Sequence, residues 1–446
     1  MIVGEHEETR LDTRPIEHEL LAAMPFTILP VNSTQPAIEL VSKLNDQATA
    51  AFDAEDINRG AEFGMSEDSI HEQPSETTWP ILDHRDVKRH LVAHSGQHID
   101  LTEVNADDLK AISIYSTVPK VLVRFPSSEI IAGRDELGYV STNLVYHIQC
   151  GQHMDYLTGL LSSRLMTFWY LHAFQSTEVK FPHVQQSHIE ALPLVLPDSD
   201  GPLEAIDVDG VIGNRLPDIG SPISTHTAAA AVEDLVDTVI EHKDRRAALN
   251  VDIAAYLDDE PDGEQLADAG LYQPTVDADS LLTTTKGDDY ETTKIGAIHV
   301  ERDGDTIEIA ATVRYKPDDP DADPGPYGFV ETGPLPAFKL VEVPDLAATL
   351  IEGYVPMVGS KGNGFAGFYT EPTQKKPLVD RIGEIQLPDV DAIESKITRY
   401  QRVKERAEEL DGTIDRIESI IDAIVYEGYG VDEEEINLIE KTVDSD

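Results

Sequence analysis

The amino-acid sequence predicts an α+β fold: a mixed β-rich first domain, a second β-rich region, and a long C-terminal helix packed on a central helix. Three observations lead there. Apolar runs of strand length recur before residue 150, a strand–turn–strand pattern occupies 298–309, and an apolar stripe at helical spacing runs from 393 to 424.

Val121-Leu122-Val123-Arg124-Phe125 and Leu144-Val145-Tyr146-His147-Ile148 are β-branched apolar runs of strand length. Ala132 to Tyr139, between them, carries turn chemistry. Tyr156 to Phe174 reads as one helix, stopping before a Phe181-Pro182 turn. The surrounding stretch from Met154 is the most apolar in the chain, yet Asp155, Arg164 and His172 interrupt it, which fits a buried helix and not a membrane span. Residues 198–224, rich in Asp, Gly and Pro, read as a linker. The next helix sets Val232, Leu235, Val236, Val239 and Ile240 on one stripe. In the second β-rich region, Asp303-Gly304 between two alternating runs signals a hairpin, and an acidic loop follows at Pro317 to Pro326. From Val390 to Val443 the pattern is helical. Ile393, Ile397, Tyr400, Val403, Ala407, Leu410, Ile414, Ile417, Ile421 and Ile424 step by three or four. Such a stripe needs a partner: the helix at 228–247, or a second copy of the chain.

The expected boundaries are 1–50, an N-terminal segment; 51–197, the first domain; 198–224, the linker; 225–260, a helical spacer; 271–388, the second β-rich region; and 389–446, a helical scaffold.

With 84 acidic against 34 basic residues the 446-residue chain carries a net charge of −50. Self-repulsion of that size is relieved in concentrated salt, where the Debye length falls to about 3 Å. The bias reads as adaptation to a salt-filled cytoplasm, as in a halophilic archaeon, and does not exclude nucleic acid. One cysteine, Cys150, rules out disulfide frameworks and cysteine-built zinc sites. Residues 1–20 lack the apolar core of a signal peptide, so a soluble, cytoplasmic protein is expected.

Three segments together resemble the C-terminal half of TaqI-like and type IIG adenine-specific DNA methyltransferases. Asp56-Ile57-Asn58-Arg59-Gly60 through Gly64 is similar to that family's opening "I-x-x-G" strand and turn, and Pro80 to His90, Pro-Ile-Leu-Asp-His-Arg-Asp-Val-Lys-Arg-His, resembles its "Arg-Asp-Ile-Lys-Arg-Tyr" segment. Next come Pro119 to Arg124, Ile131, Asp135, Gly138-Tyr139 and Asn143 to Tyr146, then Tyr156 to Leu165 and Leu192-Pro193-Leu194, in the order of a TaqI-like specificity domain. Ile421 to Gly430, then Glu433 to Ile436, is similar to the closing helix. His90 stands where an aromatic is usual, and Ser162 where Asn is usual. The resemblance implies recognition of double-stranded DNA for a restriction–modification methyltransferase.

The catalytic motifs of such an enzyme are not in this sequence. No Asn/Asp-Pro-Pro-aromatic loop occurs; Asp323-Pro324-Gly325-Pro326-Tyr327 has an inserted Gly. Ser360 to Gly367 is Gly-rich without a phosphate-loop ending. Asp389 with Glu394-Ser395-Lys396 mimics a nuclease metal site, but its spacing fits solvated helix charges better. His84, His90, His94 and His98 suggest a metal only if a helix puts His90 and His94 on one face, and no metal site is assigned. No catalytic or cofactor-binding residue is expected; S-adenosylmethionine would sit on a partner domain or subunit, and the chain alone would lack activity.

Between Trp79 and Arg134 seven basic residues balance seven acidic ones, a local relief that a phosphate-facing surface requires. Arg59, Arg85 and Arg89 are the expected DNA contacts, followed by Lys88 and Arg124. Arginine's fork fits guanine bidentately, whereas lysine serves phosphates. The competing readings are a type I-style specificity subunit, with helices spacing two recognition domains, a chain of a split methyltransferase, and a non-DNA structural dimer built on the C-terminal helix.

Overall fold

A computed structural model describes residues 24–25, 33–62, 70–100, 102, 112–149, 153–174, 183–197, 225–257, 262–285, 293–316, 330–360 and 377–444. The expected linker at 198–224, the Phe181-Pro182 turn, the acidic loop after Pro317 and the Gly-rich run after Ser360 lie outside the described residues. Helices and mixed sheets together make an α+β fold. The chain divides into one unit of residues 1–244 and 412–446 and a second of 245–411.

The first unit is built on a five-stranded sheet in the order β1-β9-β6-β7-β4: β1 Ile57–Arg59, β4 His90–Leu91, β6 Lys120–Arg124, β7 Ala132–Asp135 and β9 Val145–Ile148. A smaller sheet joins β2 Ile70–His71, β5 His98–Asp100, β3 Thr78–Leu82 and β8 Val140–Ser141. The continuous apolar runs of β6 and β9 have a physical reason: both faces of the large sheet are covered. Val121, Val123, Tyr146 and Ile148 point into the main core, while Leu122 and Val145 meet Leu82 and Val87 on the other face. The segment expected to be only a turn supplies β7, and the turn is confined to the residues after Asp135.

The main core is helical: α1 Gln35–Gln47, α2 Met154–Leu161, α3 Arg164–Phe174, and part of α4 Thr225–Ala247. The helix expected over 156–174 is two helices. Ser163 Oγ accepts from Met166 N (3.3 Å) and so caps the start of the second helix, while Ser162 Oγ donates to Ala132 O (2.9 Å) and accepts from Ala132 N (3.2 Å), tying the break to the strand. Trp169, wholly buried, donates its indole N–H to Asn45 Oδ1 at 2.8 Å. α6 Val390–Gly428 ends at Gly430 (φ +55°), and α7 Glu433–Val443 follows behind an Asp432 capping box. Ile414, Ile417, Ile421 and Ile424 of α6 share the main core with Val232, Leu235, Val236 and Val239 of α4. The stripe thus finds its partner inside the chain.

In the second unit β11 Leu271–Pro274, β15 Leu335–Val341, β13 Thr306–Tyr315 and β12 Thr293–Asp303 form a sheet in that order, with β14 Val330–Glu331 beside β13. The expected hairpin is present: Asp303 pairs with Thr306, and Gly304 takes φ +63° in the two-residue loop. A helix the sequence reading did not single out, α5 Asp345–Ser360, packs on β12 through Gly359 and Ile298. β10 Asp262–Gln265 pairs with β16 Gln386–Pro388 just before α6. Ile393, Ile397 and Tyr400 of α6 are buried in this unit's core.

Candidate nucleic-acid interface

The segment from Asp86 to Ala93 folds as a tight hairpin. Val87 bridges Val92, Lys88 and Leu91 exchange backbone bonds of 2.9 and 3.2 Å, and Ala93 N donates to Asp86 O at 2.8 Å. Arg89 and His90 form its turn, with His90 at φ +72°, a conformation that costs an L residue energy unless its surroundings enforce it. His90 and Leu91 then pair in parallel with Gly133 and Arg134. The close approach needs Gly133, where a Cβ would lie 2.5 Å from Leu91 O.

The tip of this hairpin is plugged into the helical core. Arg89 Nη2 meets both oxygens of Asp422 at 3.2 and 3.0 Å, and Nη1 meets Glu418 at 3.2 Å. Lys243 Nζ donates to Arg89 O (2.8 Å) and Glu418 Oε1 (2.6 Å). Asp422 also accepts the backbone N–H of Arg164 (2.9 Å), so one carboxylate caps α3 and holds the hairpin. Burial works against the charge of Arg89, but Asp422 and Glu418 overcome it and raise its pKa. His90 is fully buried, and neither ring nitrogen has a hydrogen-bond partner among the described residues; Glu418 lies 3.7 Å from Nε2. Burial, reinforced by Arg89 and Lys243, holds its pKa well below the ordinary value of 6.5.

The open end of the hairpin is held from the sheet. Asp83 and Asp86 form a capping box around the turn His84–Asp86. Arg124, at the end of β6, donates through Nε to His84 O (3.1 Å) and through Nη2 to Val87 O (2.7 Å). With tip and base both fixed, Arg85 and Lys88 project outward. Arg85 is 77% exposed and bound to Asp83 at 3.2 Å, and Lys88 is exposed.

The five expected contact residues therefore fall into different settings. Arg85, on the turn at the hairpin's base, and Lys88, on the hairpin itself, are both exposed. Arg89 is bound into an ion-pair cluster, and Arg124 binds backbone carbonyls. Arg59 lies with its guanidinium 4.2 Å above the Phe125 ring, donates to Asn143 O (2.5 Å), and caps a stack continued by His183 on Phe125. Beside it, a Cβ on Gly60 would meet Thr142 O at 2.2 Å, a backbone contact that accounts for glycine in the "I-x-x-G" turn.

The charge balance of residues 79–134 also has internal causes. Lys120 and Asp135 form a fully buried pair at 2.6 Å. The Asp135 carboxylate accepts the N–H groups of Leu137, Gly138 and Tyr139, and Lys120 donates to the carbonyls of Tyr115 and Thr117. Arg134 is bound to Asp155 (2.6 Å), Asp237 and Glu136. Lys110 lies outside the described residues. Most of the basic residues counted as phosphate-facing are thus engaged within the fold.

His90 and His94 do not share a helix face. His90 belongs to β4 and His98 to β5; the His94 ring packs on His98 (5.4 Å) and Tyr139 (5.2 Å). Among the described residues no group of three His, Cys, Asp or Glu side chains converges as a metal site would. Asp389 accepts the N–H of Asp391 (3.0 Å) at the start of α6, and Glu394 is exposed on that helix. No helix among the described residues is long and apolar enough to cross a membrane.

Two of the segments that carry the resemblance touch. Tyr429 Oη, just past α6, donates to Pro193 O (2.6 Å) and accepts from Val195 N (3.1 Å). Compared with protein families, residues 79–194 match the TaqI-like C-terminal specificity domain. That span contains the hairpin, the strands β6 to β9 and the exit segment at Leu192–Leu194. No curated protein matches the chain.

Proposed function

We propose that this chain reads DNA sequence for an adenine-specific, S-adenosylmethionine-dependent methyltransferase of a restriction–modification system. Methyl transfer belongs to a separate catalytic domain or subunit, because no Asn/Asp-Pro-Pro-aromatic loop occurs in the sequence. The observation that carries the reading is the specificity-domain match over 79–194, within which the turn at 84–86 exposes Arg85 and the adjoining hairpin exposes Lys88. Arg85 suits a base edge and Lys88 a phosphate. Arg59, Arg89 and Arg124 act behind them, as residues that set the position of the recognition loops. Ile393, Ile397 and Tyr400 at one end of the α6 stripe, and Ile414, Ile417, Ile421 and Ile424 at the other, are buried within the chain.

A halophilic, cytoplasmic setting accounts for the net charge of −50. Counterion release contributes little there, which places more of the affinity in base contacts, shape and bridging water. The test is fluorescence anisotropy with a duplex carrying the preferred site, titrated across potassium chloride concentration. Lys88→Ala should weaken binding to all duplexes alike and flatten the salt slope by about one. Arg85→Ala should lower preference for the site over scrambled sequence. Equal behaviour of both variants and the wild-type chain would remove the hairpin from the interface.

A further inference from the structure

We infer that the turn from Ala93 to His98, braced by Tyr139, is a second DNA-reading element, contacting base edges where Lys88 contacts phosphate. This rests on the DNA-recognition reading above and names further specificity-determining residues for it. Residues 84–99 hold a single acidic side chain, Asp86, in a chain with 84 acidic residues, and Asp86 is buried. It joins the two loops: its backbone carbonyl accepts from Ala93 N at 2.8 Å, and its carboxylate accepts from Asp83 N (2.9 Å) and Ser95 Oγ (3.4 Å). The turn therefore lies beside the Arg85 loop on a shared support. Its shape is fixed as well. Gly96 takes φ +89° with open space around it, Ile81 N binds Gln97 O (3.0 Å), and His94 Nε2 is 2.7 Å from that same carbonyl. His98 Nδ1 is 3.0 Å from Gly96 O.

What this frame presents is neutral and polar. Ser95 and Gln97 are exposed, and His94, His98 and Tyr139 make a half-buried group of rings. Without a lysine or arginine the turn adds little phosphate affinity. A glutamine amide, in contrast, matches the paired acceptor and donor of an adenine edge in the major groove, and imidazole can donate to or accept from one base. The His94 and His98 rings pack edge to face and Tyr139 lies tilted against His94, which holds the imidazoles in place.

The experiment is selection from a randomised duplex pool in molar potassium chloride, run with the full wild-type chain, Gln97→Ala, and the double variant His94→Ala/His98→Ala. The wild type should enrich one motif. Each variant should relax at least one position of it, with preference falling on the order of tenfold per lost base contact, while affinity for unselected duplex stays within about twofold. Gln97 is exposed, so its variant remains readable if the double variant unfolds. An unchanged motif in Gln97→Ala, and in the double variant if folded, overturns this inference and leaves the recognition reading standing. A wild-type chain that enriches nothing overturns both.

Discussion

Arg89 and Asp422, 333 residues apart in sequence, meet through two contacts of 3.2 and 3.0 Å, and this bond joins the turn of the 86–93 hairpin to α6. The hairpin is short and its turn residue His90 is strained, so its conformation depends on what holds the tip. Removing either partner leaves a charge in a site that has lost its counterion.

Arg89→Ala and Asp422→Ala should each destabilise the chain by about 3 kcal/mol, as for a broken buried pair. Arg85→Ala, at an exposed position, should change stability by no more than about 0.5 kcal/mol. Denaturant titration at fixed high salt separates the two. If Arg89→Ala proved as mild as Arg85→Ala, the tip would not be held by this pair.

The buried histidine predicts the sign of a pH effect. In the unfolded chain an imidazole titrates near 6.5, whereas His90 in the fold titrates well below that value. Below about pH 6.5 the unfolded state therefore binds more protons, and stability falls as the medium is acidified. Burial of His172 and His188, each lowered to about 4, acts in the same direction. Asparagine tolerates positive φ, so His90→Asn should remain folded and lose less stability between pH 7 and pH 5, by at most about 1.4 kcal/mol per pH unit. Denaturation midpoints at the two pH values check this; parallel losses in both proteins would contradict it.

Gly60→Ala should destabilise by about 2 kcal/mol, in the range of overpacked sites, because the added carbon meets the backbone carbonyl of Thr142. Thermal melting checks the effect. A neutral result would mean that β1 can move away from β8 without loss.

Lys120→Met should cost about 3 kcal/mol or more, since it leaves the fully buried Asp135 without its cation. Loss of protection at the amides of Leu137, Gly138 and Tyr139, read by hydrogen exchange, would accompany it. Unchanged exchange there would separate the turn from the ion pair.

Much of the scaffold is legible in the sequence. β6 and β9 announce themselves as unbroken apolar runs because both faces of their sheet are covered. The Asp303-Gly304 turn and the α6 stripe follow from local chemistry in the same way. The candidate interface is less legible because its geometry is non-local. A hairpin turn made of Arg89 and His90 carries no glycine or asparagine signal, and its stabilising partners lie on α4 and α6. Basic residues look alike in sequence whether they face solvent, as Arg85 does, or a buried carboxylate, as Lys120 does. Ser162, at the helix break, likewise meets Ala132, a strand residue 30 positions away. One signal for the candidate interface does stand in the sequence: the near absence of acidic residues from 84 to 99 in so acidic a chain.

The central claim is that this chain discriminates among DNA sequences. Its most direct test is selection from a randomised duplex pool by the full chain in molar potassium chloride. The account predicts convergence on one short motif, bound at least about a thousandfold more tightly than the starting pool. Recovery of an unchanged pool, with no sequence enriched, would contradict it.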